Sequence, residues 1–217
     1  MERNFIDGYT EWQTNPEIVA VNKLPQHATL MPYENFDEAK KADRYASTRC
    51  KLLNGKWKFK LYKNYAYRPS DFAQPHYDSH NWDSVIVPCS WQMQGYDQAQ
   101  YCNVRYPWEG SEDICPPNAP TKHNPVGCYL KRIHINEAVL SKRVVLCFEG
   151  VESAFYLYVN GERVGYSEST FNRSEFDISR YLVEGSNVIG VEVYRWCTGS
   201  WLECQDMWRL SGIERDV

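Results

Sequence analysis

The sequence has 217 residues, 28 acidic against 24 basic side chains, a net charge of −4 and 43% hydrophobic residues. A chain this long buries roughly 70% of its unfolded surface, and its composition is that of an ordinary globular domain, which excludes a disordered polypeptide. The basic residues form no run or basic domain, which argues against nucleic acid, and no apolar stretch reaches the ~20 residues of a membrane-spanning helix.

Before Asn54 the chain is mixed. Asn15-Pro16, Leu24-Pro25 and Met31-Pro32 each force an extended residue before the proline. Glu34 to Arg44 has the composition of one short helix. Asn54-Gly55 marks a turn, and Lys56 to Tyr62 alternates strictly, which predicts a strand with Trp57, Phe59 and Leu61 inward and three lysines in water. Val85-Ile86-Val87 predicts a short strand closed by Pro88. Cys102 to Gly127 holds Pro107, Pro116, Pro117, Pro120 and Pro125, so it reads as neither regular helix nor central strand. Long irregular segments in a compact domain are usually functional.

From Cys128 onward the pattern is all β. Strands are predicted over Tyr129 to Ile135, Arg143 to Phe148, Glu175 to Ile178 and Val188 to Tyr194. Ala154 to Val159, Asn160-Gly161 and Glu162 to Tyr166 read as a hairpin closed by a type I′ turn. Several short strands separated by turns imply a β-sandwich or barrel.

The usual catalytic signatures are missing: no G-x-S-x-G, no H-E-x-x-H and no phosphate-cradling glycine loop. His76 and His80 have helical ligand spacing but sit in a loop-like run. Ser153, Ser167 and Ser200 have no identifiable base. The eight cysteines make no C-x-x-C pair, so reduced structural thiols are expected. MERNFIDGYTEW lacks the apolar region of a signal peptide, which favours the cytoplasm over the periplasm without deciding the compartment. Glycoside hydrolysis needs two carboxylates. Glu149, Glu152, Glu168, Glu175, Asp177, Glu203 and Asp206 qualify by type, and spacing selects no two of them. The densest cluster is Arg195 to Ile213, with three tryptophans, two acids, one glutamine and two arginines. Rings that stack on sugar faces beside groups that bond hydroxyls suit a carbohydrate site. An aromatic cluster at the edge of the core reads equally well from the same residues.

The run RWCTGSWLECQDMWRLSGIERDV resembles the end of the amino-terminal sugar-binding domain of the long-chain β-galactosidases of glycoside hydrolase family 2. FEGVESAFYLYVNGERVGYSESTFNRSEFDI is similar to the family's hairpin and following strand, and YPWEGSEDICPPNAPTKHNPVGCY to its proline-rich loop. LNGKWKF, VPCSWQMQGYD and EWQTNPEIVAVNKLPQHATLMPY also match, so the resemblance covers nearly the whole chain. It implies an all-β jelly-roll sandwich of the galactose-binding type over residues 49–217. Residues 1–48 would be an extended segment packing on the sandwich or on downstream domains. It implies a retaining enzyme that hydrolyses terminal β-D-galactose through a covalent galactosyl intermediate. The catalytic glutamates would lie in a TIM barrel outside this chain, so no catalytic residue is assigned here.

Two contacts follow from the resemblance. Asn124 of the N-P-x-G motif would lie in the substrate pocket. Asp206 of Q-D-M-W would bind a substrate hydroxyl and help ligate sodium, with the other ligands outside the chain. The full-length enzyme would also use magnesium, whereas this chain alone would require neither ion. Its partners would be β-galactosides, immunoglobulin-like and TIM-barrel domains of the same polypeptide, and further copies in a homo-oligomer. The family commonly has Ser-Asp where this chain has Cys197-Thr198, and Asp at Cys204. The alternatives are a freestanding carbohydrate-binding module, a purely structural domain, and a β-glucuronidase or β-mannosidase of the same family.

Overall fold

The computed structural model describes residues 10–217. The start of the run read above as unlike a signal peptide lies outside them. Among the described residues thirteen strands occur in chain order. They are β1 (Ala20–Val21), β2 (Gly55–Tyr62), β3 (Asp83–Val87), β4 (Gln100–Tyr101) and β5 (Val126–Ile135). Then come β6 (Val145–Phe148), β7 (Val151–Glu152), β8 (Ala154–Val159) and β9 (Glu162–Ser167). The last are β10 (Ser174–Asp177), β11 (Gly185–Tyr194), β12 (Trp208–Arg209) and β13 (Gly212–Ile213). Seven form one antiparallel sheet in the order β1-β9-β8-β11-β5-β2-β3, and three two-stranded ladders, β10-β6, β12-β4 and β13-β7, complete an all-β sandwich of the jelly-roll class.

The central strands are apolar on both faces. In β11, Ile189, Val191 and Val193 enter one core and Val188 and Tyr194 the other. In β8, Phe155, Leu157 and Val159 point one way while Ala154 and Tyr156 point the other. This is the period-2 alternation of a strand, with a covering layer on each side. The first core is closed by Phe148 of β6, Phe176 of β10 and Ile213 of β13. The second is closed by Trp12, Phe72, Ala73, Trp82 and Ala119, which come from loops and from the short helix α1 (Glu11–Thr14). An ion pair is buried on this second side, where Arg68 Nε donates to Glu192 Oε1 at 2.5 Å. Tyr158 donates to the other oxygen of Glu192 at 3.3 Å.

Local sequence explains several joints. Asn160 and Gly161 have φ of 52° and 84°, so β8 and β9 are joined through the two left-handed positions that a type I′ turn requires. Trp57 and Phe59 of β2 are buried as their alternation predicts. Lys58 is only half free, because its ammonium donates to the Trp82 carbonyl at 2.9 Å.

Two expectations are corrected. The single helix over Glu34 to Arg44 is instead α2 (Phe36–Lys40), capped by the Asn35 side chain, followed by a separate 3-10 turn at Arg44–Ala46. Ala42 between them is left-handed, at φ 53°, and Asp43 caps the second turn with its own carboxylate, so two local caps divide the run. The proline-rich stretch also runs into a central strand, since Val126 and Gly127 open β5 beside β11. The amino-terminal residues do more than lie across the sandwich: β1 pairs with β9 as the edge strand of the large sheet.

Candidate functional site

The candidate site is built where the chain leaves β11 and crosses to β12. Asn124, directly before β5, holds the first residues of this crossing. Its Nδ2 donates to Trp196 O at 2.9 Å and to Pro120 O at 3.1 Å, and its Oδ1 accepts from Trp196 N at 2.9 Å. The side chain is fully buried. Both of its N–H groups and its oxygen thus bond the backbone of the site's wall. The glycine of the same motif, Gly127, is equally constrained, because a Cβ there would lie 2.6 Å from the Trp91 ring and 2.9 Å from that of Phe59.

Arg195 comes next and is buried. It bonds the Asp97 carboxylate, Gln98 O at 2.8 Å and Gln100 Oε1 at 2.7 Å, and lies over the Trp196 ring at 4.8 Å. The aromatic cluster continues outward. Trp108 meets Trp196 edge-on at 5.3 Å and Trp201 edge-on at 4.9 Å, and Tyr106 stacks on Trp108 at 5.2 Å. Polar atoms lock these rings: Trp201 Nε1 donates to Asn118 O at 2.8 Å and the Tyr106 hydroxyl to Trp201 O at 3.0 Å. A cleft of about 340 Å³ opens beside Trp108, Trp196 and Arg195, and a shallower one of about 650 Å³ beside Tyr106, Trp108 and Trp201.

The proline-rich loop is folded by one acid. Glu112 accepts from the backbone N–H groups of Thr121, Lys122 and His123 at 2.8 to 3.0 Å. Burial pushes its carboxyl up, but these donors more than offset that and hold its pKa below the ordinary value. Glu168 does the same for the 3-10 turn Thr198–Trp201, accepting from the Thr198 hydroxyl at 2.9 Å and from Gly199 N at 2.9 Å. Here burial prevails and the Glu168 pKa is raised. Glu203 accepts from the Thr170 hydroxyl at 2.8 Å.

Past that turn, Cys204 and Asp206 are left-handed, with φ of 57° and 54°. Asp206 is exposed and accepts a hydrogen bond from the Tyr101 hydroxyl. That bond holds the Tyr101 pKa above its ordinary value. The β4–β12 ladder sets Tyr101 opposite Trp208, with ring centroids 5.8 Å apart. Spacing could not reveal Tyr101, because the pairing joins positions 101 and 208 through tertiary structure alone. Around Asp206 lie further exposed apolar side chains, Leu202, Met207 and Trp208, with Val104 three residues beyond Tyr101.

The seven candidate carboxylates separate clearly. Glu149 pairs with Arg44 and Arg173, Glu175 with His27 and Arg173, and Asp177 with Arg143. Glu168 and Glu203 fold the loop, and Glu152 is buried. Asp206 alone of the seven is exposed. Neither Ser153 nor Ser200 acquires a base: the Ser153 hydroxyl donates to Tyr194 O and Arg195 O, and the Ser200 oxygen accepts from Cys197 N. Ser167 bonds Glu168 O and the Ser174 hydroxyl. Among the described residues no group of three or more His, Cys, Asp or Glu side chains is arranged to hold a metal.

Residues 50–217 match the model of the glycosyl hydrolases family 2 sugar binding domain. A β-galactosidase of Priestia megaterium is 51% identical over 211 residues, 97% of this chain and 20% of that protein. One from Clostridium acetobutylicum is 44% identical over 95% of this chain and 23% of that protein. The chain thus spans about a fifth of the length of these relatives. A β-glucuronidase of Bacteroides uniformis superposes with a TM-score of 0.56 over 76% of this chain and 17% of its own, at 19% identity, which speaks for the fold alone. With the family model covering most of the chain, and the N-P-x-G segment running into β5 and the Q-D-M-W segment into β12 of the sandwich, the chain belongs to glycosyl hydrolase family 2, as its sugar binding domain.

Proposed function

We propose that this chain is the amino-terminal domain of a retaining β-galactosidase, and that it supplies one wall of a pocket for terminal β-D-galactose. The observation that carries this reading is Asp206: the one exposed carboxylate of the seven candidates, set in a left-handed turn beside Tyr101 and Trp208. A carboxylate accepts from two sugar hydroxyls at once, and an adjacent ring face covers the apolar side of a pyranose. The catalytic acid/base and nucleophile come from elsewhere in the longer polypeptide, as retaining hydrolysis needs two further carboxyl groups about 5–5.5 Å apart.

In this reading Asp206 orients the sugar by accepting its hydroxyl protons. Tyr101 steadies the Asp206 carboxylate, and Asn124 acts through the Trp196 backbone. The Asp206 carboxylate also suits a hard cation, which takes oxygen ligands. Sodium bound there would supply a fixed positive charge beside the sugar, with its remaining oxygen ligands drawn from outside this chain. Magnesium is assigned to no residue of the chain. The exposed Leu202, Met207, Trp208 and Val104 are the surface on which a downstream barrel domain would seat to complete the pocket.

The test is hydrolysis of a chromogenic β-galactoside by the longer polypeptide, measured against sodium concentration. Hydrogen bonds to a charged group contribute ~1.5–3 kcal/mol, so Asp206→Ala should lose roughly 10- to 100-fold in kcat/KM and blunt the sodium response. Tm should hardly move. Unchanged kinetics with a lowered Tm would make Asp206 a structural residue and sink the reading.

A further inference from the structure

Beneath the Asp206 loop lies an acidic pair that the proposed function does not use. Glu152 ends β7 and sits opposite Gly212 of β13. It is buried, with 6% of its surface exposed. The Cys204 thiol donates to its Oε1 at 3.4 Å, and the Leu210 backbone N–H is turned toward the same carboxyl. Glu152 therefore grips the loop on both sides of Asp206, at positions 204 and 210.

Its remaining capacity faces Glu214, just past β13, whose carboxyl is within hydrogen-bonding reach. Glu214 Oε1 is buried with no donor. Two ionised carboxylates in contact, both withdrawn from water, repel strongly, whereas one proton between them turns the repulsion into a hydrogen bond. Positive charge relieves the pair only in part: Arg215 favours the ionised form of Glu214, and the Arg195 guanidinium feels the Glu152 carboxylate. Glu203 on the loop adds negative charge. Arg195, at the end of β11, is committed to Asp97 and Gln100. Arg209 of β12 donates to Ser200 O and faces Cys204 rather than the acids. Arg215 and the Ser90 hydroxyl act on Glu214.

We infer that Glu152 and Glu214 share one proton, and that this proton-bridged pair positions the Asp206 loop, releasing residues 203–210 when the proton is lost. Burial first, and the Glu214 charge second, push the Glu152 pKa up to about 8. The Glu214 carboxyl is raised as well, mainly by burial. The device rests on the proposed role of Asp206 for its consequence: binding of sugar there weakens at alkaline pH because its loop comes loose, with Asp206 itself unaltered.

Hydrogen exchange by mass spectrometry on the intact polypeptide, without sugar and in sodium-free buffer, tests the clamp. Protection of residues 203–210, corrected for intrinsic exchange, should fall tenfold or more between about pH 6 and about pH 9.5. In Glu152→Gln the fall should vanish, because the amide oxygen still accepts from Cys204 and Leu210 while its NH₂ donates to Glu214. Glu214→Gln should abolish the fall too, and decides the matter if Glu152→Gln does not fold. Flat protection in the wild type, or an undiminished fall in a folded Gln variant, overturns the proposal. The same variants then tie the clamp to binding: KM for a β-galactoside should rise across this range in the wild type and not in Glu152→Gln. A loop that loosens while KM stays level refutes that link. An Asp206→Ala variant with normal kinetics would instead refute the functional reading, and it leaves the exchange result standing.

Discussion

Asn124 shows how much one amide can fix. It satisfies both backbone groups of Trp196, 72 residues away, from a fully buried position. Replacing it strands a buried N–H and a buried carbonyl, each costing roughly 1–3 kcal/mol. Asn124→Ala should therefore destabilise the domain by on the order of 3 kcal/mol, read as a shifted urea midpoint with an unchanged slope. Fluorescence of the Trp196 cluster should change with it. A variant as stable as the parent would mean that water or neighbouring groups replace the amide. Gly127, three residues on, is limited by space rather than by bonding. Its missing Cβ is where the Trp91 ring lies, so Gly127→Ala should cost about 1–3 kcal/mol through overpacking, again measured by chemical denaturation. An unaffected midpoint would show that Trp91 can move aside cheaply.

At the scale of elements, the amino-terminal segment is tied to the sandwich by charge as well as by β1. His27 Nε2 lies 2.7 Å from Glu175 Oε2, and its Nδ1 lies 2.6 Å from Ala28 O. Both partners are acceptors, so the two bonds coexist only when the ring is protonated. The Ala28 carbonyl first, and Glu175 second, raise the His27 pKa above its ordinary 6.5. A raised histidine pKa contributes stability that is complete below about 6.5 and is lost as pH rises through the folded-state value. Hydrogen exchange of residues 22–30 should therefore accelerate, after intrinsic correction, between mildly acidic and mildly alkaline pH. His27→Gln should abolish that pH step. A step that persists in the variant would assign it to another group. The Leu24 N–H bond to Glu175 O at 2.8 Å should keep the segment from detaching altogether.

For the whole molecule, the distribution of acids decides what this chain can do unaided. Six of the seven candidate carboxylates are buried or committed to partners that fold the domain, leaving Asp206 without a second free member. The isolated 217 residues should accordingly fold yet fail to hydrolyse a chromogenic β-galactoside. Binding of free galactose should be too weak for calorimetry to detect, since an open half-pocket must first offset an association cost of ~4–15 kcal/mol. Turnover above a matched purification control would overturn this view, and micromolar binding would favour a freestanding carbohydrate-binding module.

The strands, the hairpin and the family were legible in the sequence because their causes are local or densely written. Alternation in Lys56 to Tyr62, two left-handed positions at Asn160-Gly161, and the ordered N-P-x-G and Q-D-M-W segments each act over a few residues. The division of the run from Glu34 to Arg44 was also local, in the caps Asn35 and Asp43, but helix-forming composition masked it. What the sequence left open was which acids are spent and which is free. Glu192 and Arg68 lie 124 residues apart, Glu152 meets Cys204 across 52, and Tyr101 reaches Asp206 across 105. Burial and pairing decide the chemistry of a carboxylate, and both arise only when the β4–β12 and β7–β13 ladders bring distant segments into register.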